Sequence, residues 1–154
     1  IVFVQRDITR PRHAGGEQHA EVSGETFAAR VAAGHYALHW QANGHGYGIP
    51  RTMADALAAG ATVVVNGSRG VIDDARTRFG PVVVALVTAR PETLRARLLQ
   101  RGRESPAEID ARVARAALPG PSGTDVVVIA NDAGPEVAIT QLVALIAPAA
   151  PAPR

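Results

Sequence analysis

The chain has 154 residues, no Cys, 16 basic and 14 acidic side chains, which fits one compact domain and excludes disulfide frameworks, thiolate metal sites and cysteine nucleophiles. Every basic residue is Arg, and the net charge is only +2, so a sequence pI near 9.9 reflects arginines that hardly deprotonate and argues against a nucleic-acid binder. No apolar run approaches the roughly 18 residues of a membrane span, and 47% hydrophobic with 4% aromatic residues predicts a core of Val, Ala, Leu and Ile, the habit of sheets covered by helices on both faces.

The chain opens on Ile1-Val2-Phe3-Val4, a strand-like run with no start Met or signal-like segment. Residues 9–48 depart from any simple rhythm, holding all five His, the only Trp and both Tyr, and they read as a substrate-facing insert with one helix over 25–33. Pro50 and Gly60 bracket a helix, and 62–65 form a continuously apolar strand followed by Asn66-Gly67-Ser68-Arg69-Gly70 and a further helix. Strands follow at 82–87 and 125–129. Between them lie a helix from Pro91 to Gly102 and a second opened by the capping box Ser105-Pro106-Ala107-Glu108 and running to about Ala117. Pro135 opens the last helix, and the Pro- and Ala-rich residues 148–154 read as a disordered tail. Strands alternating with helices predict an α/β fold with a parallel sheet, organised as a single domain over 1–147.

Seven of the 16 arginines fall between Arg90 and Arg115. Arg101, Arg103, Arg112 and Arg115 flank the turn between two helices, where forked, permanently charged donors suit a phosphate clamp; the same charges also suit a solvated helix face. Arg6, Arg10 and Arg12 follow the first strand, near the carboxyl edge where open α/β sheets bind ligands. Asn66 to Gly70 could form an anion-binding nest with Arg69 as counter-charge, and Tyr47, between two glycines, could offer its hydroxyl to a ligand. The segment is not a nucleophile elbow, because Asn66 stands where Gly is needed and no His follows His45. His35 and His39 have i,i+4 spacing, with His13, His19 and His45 nearby, but no H-E-x-x-H pattern supports a metal site. Gly120-Pro121-Ser122-Gly123 resembles the front of a P-loop, yet it follows a helix, precedes a strand and lacks the Lys.

Taken together, Arg6-Asp7-Ile8-Thr9-Arg10-Pro11, Gly16-Glu17-Gln18-His19, Tyr36 to Gly44 with Tyr47-Gly48, Val63 to Arg69, and Arg101-Gly102-Arg103-Glu104 with Glu108-Ile109 and Ala111-Arg112 resemble the ribose 1,5-bisphosphate phosphokinase family. That family is a guanylate-kinase-like branch of the P-loop kinases. The resemblance implies ATP-dependent phosphorylation of ribose 1,5-bisphosphate to 5-phosphoribosyl 1-diphosphate in bacterial phosphonate breakdown, with ATP and Mg²⁺ as cofactors, small-molecule partners and a cytoplasmic location. It places Arg10, Arg12 and Tyr47 on substrate phosphate and Asn66 and Arg69 on the sugar-phosphate side. Arg101 and Arg112 become catalytic lid arginines over 91–117, and Arg103 and Asn131 ATP-binding residues. Guanylate kinase is disfavoured because Leu38 and Ile49 stand where a Glu and a Ser or Thr would meet the guanine edge. A non-catalytic guanylate-kinase-like binding module is the other alternative, although it would not need the lid arginines.

One departure is at the front: the family begins with a strand, a Gly-rich loop ending in Gly-Lys and a helix, and none precedes Ile1. The expectation is an N-terminally incomplete copy with impaired catalysis and with exposed sheet edges that favour association into homo-oligomers.

Overall fold

The computed structural model describes residues 1–12 and 17–147. His13 and Gly16, singled out above, and the tail 148–154 lie outside the described residues. The chain divides into two compact units, 1–82 and 83–154.

In the first unit β1 (Val2–Phe3) pairs in parallel with β6 (Val63–Val64). A second sheet, in the order β3-β2-β5-β4, is formed by β2 (Asp7–Ile8), β3 (Ala20–Glu21), β4 (Tyr36–Ala42) and β5 (His45–Pro50). The insert, where sequence patterning gives only a helix, therefore supplies three strands. β4 and β5 are antiparallel and are joined by Asn43-Gly44, with φ of 50° and 74°. That is the two-residue turn whose left-handed backbone matches strand twist. The signal was present in the Asn-Gly dipeptide, but β4 mixes polar and apolar residues and lacks the continuous apolar run of the other strands.

Helix α1 (Gly24–Ala32) starts at Ser23, whose hydroxyl accepts the Thr26 N–H at 3.0 Å, and it buries Phe27. Phe27 lies so close to β5 that a Cβ at Gly46 would sit 2.7 Å from its ring. Helix α2 (Thr52–Ala58) and helix α3 (Ile72–Phe79), the latter entered through a 3-10 turn at Arg69–Val71, complete the unit. Its core gathers Ala37, Leu38, Ile49, Met53 and Val71, with Val63, Val65 and Phe79 packed against it.

The second unit is built on β7 (Val84–Thr88) paired in parallel with β8 (Val126–Ala130), registered from Val84 on Val126 to Thr88 on Ala130. Helices α4 (Pro91–Arg101) and α5 (Pro106–Ala116) pack on each other, and α6 (Pro135–Ile146) packs on β8. The capping box forms as the sequence predicts, with Ser105 and Glu108 exchanging side-chain-to-backbone bonds. Burial of these strands on both faces does not hold throughout. Ile129 is 1% exposed, but Val87 and Val128 are 52% and 60% exposed, because a pair of strands buries only the side chains a helix covers.

Candidate functional site

Arg6 is only 7% exposed, and a buried guanidinium needs its donors and its charge answered. Its Nε and Nη2 both donate to the Glu17 carboxylate, Nη1 donates to the Asn66 carbonyl at 2.8 Å, and the cation lies 5.2 Å from the Tyr47 ring centre and 5.6 Å from that of Trp40. Trp40 and Tyr47 face each other across β4 and β5, stacked at 5.3 Å. One side chain thus ties the segment after β6 to the segment before β3 and to the aromatic pair.

Asp7 is the next residue along the chain and is 4% exposed. It accepts Arg30 Nη1 at 2.5 Å and the Tyr36 hydroxyl at 2.8 Å. Burial first, then the bond to Asp7, pushes the Tyr36 phenol up to about 12, while the Asp7 bond raises Arg30 further above its ordinary range. Gly48 passes directly over Tyr36, since a Cβ there would lie 2.4 Å from the ring.

His19 is fully buried, with Nε2 2.8 Å from the Arg10 carbonyl and Nδ1 3.2 Å from the Glu17 carbonyl. It therefore fixes the backbone on which Arg10 sits. Arg10 is half-buried, whereas Arg12 is exposed and its backbone N–H donates to Glu21 at 2.8 Å. Arg12 lines a cleft of about 300 Å³ with Gln5, Glu17, Gln18 and His19. A groove of about 600 Å³ between α1 and the hairpin, floored by Phe27, Val31, His39 and Gly46, includes none of the candidate substrate residues.

Tyr47 is 7% exposed and Asn66 is exposed; Arg6 brings the two together. Arg69 is exposed at the start of the 3-10 turn, where Ser68 Oγ accepts the Gly70 N–H at 3.4 Å. That bond occupies one of the N–H groups expected to form an anion nest. Leu38 and Ile49, at the positions that guanylate kinases would use for guanine, are core residues, 3% and 0% exposed.

In the second unit Gly102, in the left-handed region at φ 64°, ends α4 and lets the chain turn into α5. The turn brings Arg101 and Arg112 to one acceptor, Glu104 Oε1; the Arg112 Nη2 contact is 3.4 Å. Arg95 of α4 also pairs with Asp110 of α5 at 2.6 Å. Arg103 is exposed on the turn. Asn131 follows β8: its N–H donates to the Thr88 carbonyl at 2.7 Å and its carbonyl accepts Arg97 Nη1 at 2.6 Å. Its Oδ1 is buried and has no hydrogen-bond partner among the described residues. Asp132 accepts the Arg90 N–H at 2.7 Å, which holds its carboxyl below the usual range.

Sequence reasoning quoted Glu17, His19 and Glu104 only within motifs, with His19 also weighed as a weak metal candidate, and gave none of them a place in the site; it took Arg6 as one of three equivalent basic residues. Arg6 and Glu17 lie 11 residues apart, outside any helical or strand period. Glu104 carried a readable signal as the first of three acids between the two lid arginines, the others being Glu108 and Asp110. Among the described residues no group of three or more His, Asp or Glu is placed to hold a metal ion, and no helix is long and apolar enough to cross a membrane.

No family model matches the chain. It is 45% identical over 150 residues to a ribose 1,5-bisphosphate phosphokinase PhnN of Thiobacillus denitrificans, covering 97% of this chain and 78% of the relative. It is 49% identical over 113 residues to the protein of the same description in Azotobacter vinelandii, covering 73% of this chain. The match spans 62% of that relative's length. Among solved structures, the guanylate kinase of Anaplasma phagocytophilum superposes with a TM-score of 0.63 at 23% identity, covering 94% of this chain and 73% of that one. The fold is α/β and guanylate-kinase-like.

Proposed function

Because the chain belongs to the family of ribose 1,5-bisphosphate phosphokinases, we propose that its protein transfers the γ-phosphoryl group of ATP to the 1-phosphate of ribose 1,5-bisphosphate. A P–O bond forms at the 1-phosphate, the bond between the β- and γ-phosphates breaks, and ADP and 5-phosphoribosyl 1-diphosphate leave. The proposed place is a cytoplasmic step in phosphonate breakdown. Both partners are small molecules.

The observation that carries the reading is the convergence of Arg101 and Arg112 at Glu104. A transferring phosphoryl group spreads charge over three equatorial oxygens, and paired guanidinium forks answer that charge without donating protons to the reaction. Arg10, Arg12 and Tyr47 are proposed to hold substrate phosphate, and Asn66 and Arg69 to face the sugar-phosphate side. Arg103 and Asn131 are proposed to bind the nucleotide. The buried, unpartnered Asn131 Oδ1 suits an exocyclic amine such as that of adenine, because an unmet acceptor away from water gains from a donor. Mg²⁺ bound with ATP supplies further charge neutralisation at the β- and γ-phosphates. The 154 residues contain no Gly-rich loop ending in Gly-Lys, and the polypeptide made of these residues alone is proposed to bind sugar phosphate and turn over slowly.

The test pairs calorimetry on the 154-residue chain with an ADP-release assay and ³¹P NMR on the full product of the gene. The expected result is binding of ribose 1,5-bisphosphate by the chain and a new diphosphate signal with the full protein. Preferential phosphorylation of GMP, or no transfer to the bisphosphate, would overturn the assignment.

A further inference from the structure

We propose that Glu104 is the positioning residue of the lid: it holds the guanidinium groups of Arg101 and Arg112 in one shared orientation, ready for the transferring phosphoryl group. This role rests on the kinase reading above.

The burial is inverted relative to an ordinary surface ion pair. The Glu104 side chain is 9% exposed, whereas those of Arg101 and Arg112 are 37% and 38% exposed. Exposed pairs are weak because both side chains can leave for water. A carboxylate nine-tenths buried cannot leave. Its position is also set from both sides along the backbone, by the left-handed Gly102 at φ 64° and by Ser105, whose N–H is held by Glu108 at 2.8 Å. Glu104 therefore stands on a short, doubly anchored turn.

Both arginines use only Nη2 on Glu104, and both use the same oxygen, Oε1. Each guanidinium carries five N–H donors in a fixed plane, so each keeps Nε and Nη1 for another anion. Two cations brought together repel, and a carboxylate between them cancels that repulsion while fixing the planes. The second oxygen, Oε2, is buried without a partner among the described residues, so no other group competes to turn the carboxylate. Glu104 touches neither phosphoryl group nor nucleotide in this role; it acts through the arginines.

Glu104→Gln and Glu104→Asp in the full kinase test the proposal. Glu104→Gln should lower kcat roughly ten- to hundredfold, with KM for the sugar phosphate unchanged, because misplaced charged groups lose transition-state contacts first. Glu104→Asp should recover part of that loss. In an Arg101→Ala, Arg112→Ala background the Gln substitution should have no further effect. A kcat within twofold of wild type, a raised kcat, or an undiminished effect in the double-alanine background would overturn the proposal.

A second readout needs no turnover. In protein labelled with ¹⁵N-arginine, the guanidinium signals of Arg101 and Arg112 should show hindered rotation in the wild type and averaged signals in Glu104→Gln; unchanged signals would overturn the proposal. Hindered signals in a wild type that does not phosphorylate ribose 1,5-bisphosphate would sink the kinase reading and leave the positioning role standing. If Glu104→Gln loses its helical circular dichroism, Glu104→Asp carries both readouts.

Discussion

Replacing Tyr36 with Phe isolates the buried bond beneath β2. Tyr36 is 4% exposed and donates to Asp7 at 2.8 Å, so the variant loses a hydrogen bond to a charged acceptor, about 1.5–3 kcal/mol at pH 7. The wild-type phenol is raised from 10.0 to about 12. A raised value means that the folded state favours the protonated group, so this stabilisation is complete below pH 10 and is lost as pH rises toward 12. At 1.36 kcal/mol for each pKa unit, the loss reaches about 2.7 kcal/mol. The gap between wild type and Tyr36→Phe should therefore close between pH 10 and 12. Urea midpoints followed by the fluorescence of Trp40, the only Trp in the chain, report on this unit, and Tyr47 is common to both proteins and cancels. A gap that stays constant from pH 9 to 12 would refute the reasoning.

Gly48→Ala should destabilise the chain by about 1–3 kcal/mol, the usual cost of overpacking, since its Cβ would meet the Tyr36 ring at 2.4 Å; thermal melts of the single variant and of Gly48→Ala with Tyr36→Val should show partial rescue. Arg6→Met should cost about 2 kcal/mol, less than a fully buried pair because Glu17 is 25% exposed. Calorimetry should also show weaker sugar-phosphate binding, as Asn66 loses its tether. Ser105→Ala removes one capping bond and should lower stability by about 1 kcal/mol; urea unfolding checks it, and a change below the error of the fit would count against the box as a stabiliser of the lid.

The elements legible beforehand are those with a local signature. The α4 and α5 boundaries follow from Pro91, Gly102 and the Ser105 box, because caps and φ preferences act over four residues. β6, β7 and β8 were readable as apolar runs, with β7 shifted from 82–87 to Val84–Thr88. The hairpin was hidden because its stabilisation is cross-strand. Tyr36, His39 and Gln41 make β4 look irregular until Phe27, Asp7 and the β5 partners are placed beside them. The candidate site divides in the same way. Arg101 and Arg112 were visible in the sequence only among four arginines flanking the turn, and the resemblance set them apart as a pair, whereas the Arg6 contacts with Glu17 and Asn66 depend on strand pairing that no local window contains. Asn131 emerged from resemblance, and its orphaned Oδ1 could be seen only with neighbours in place.

The span closed by Arg6 also bears on how variants of this protein behave. Its contact with Asn66 joins residues 60 apart, so the loop carrying the sugar-side candidates cannot assemble until β1 has found β6. Chain closure over such a distance is slow and is reached late. A substitution that merely loosens that pairing will therefore look like a ligand-binding lesion in a screen, although it touches no ligand. The linkage also runs the other way: any anion that engages the assembled loop protects the whole unit by mass action, which makes melting temperature a direct gauge for ranking candidate sugar phosphates.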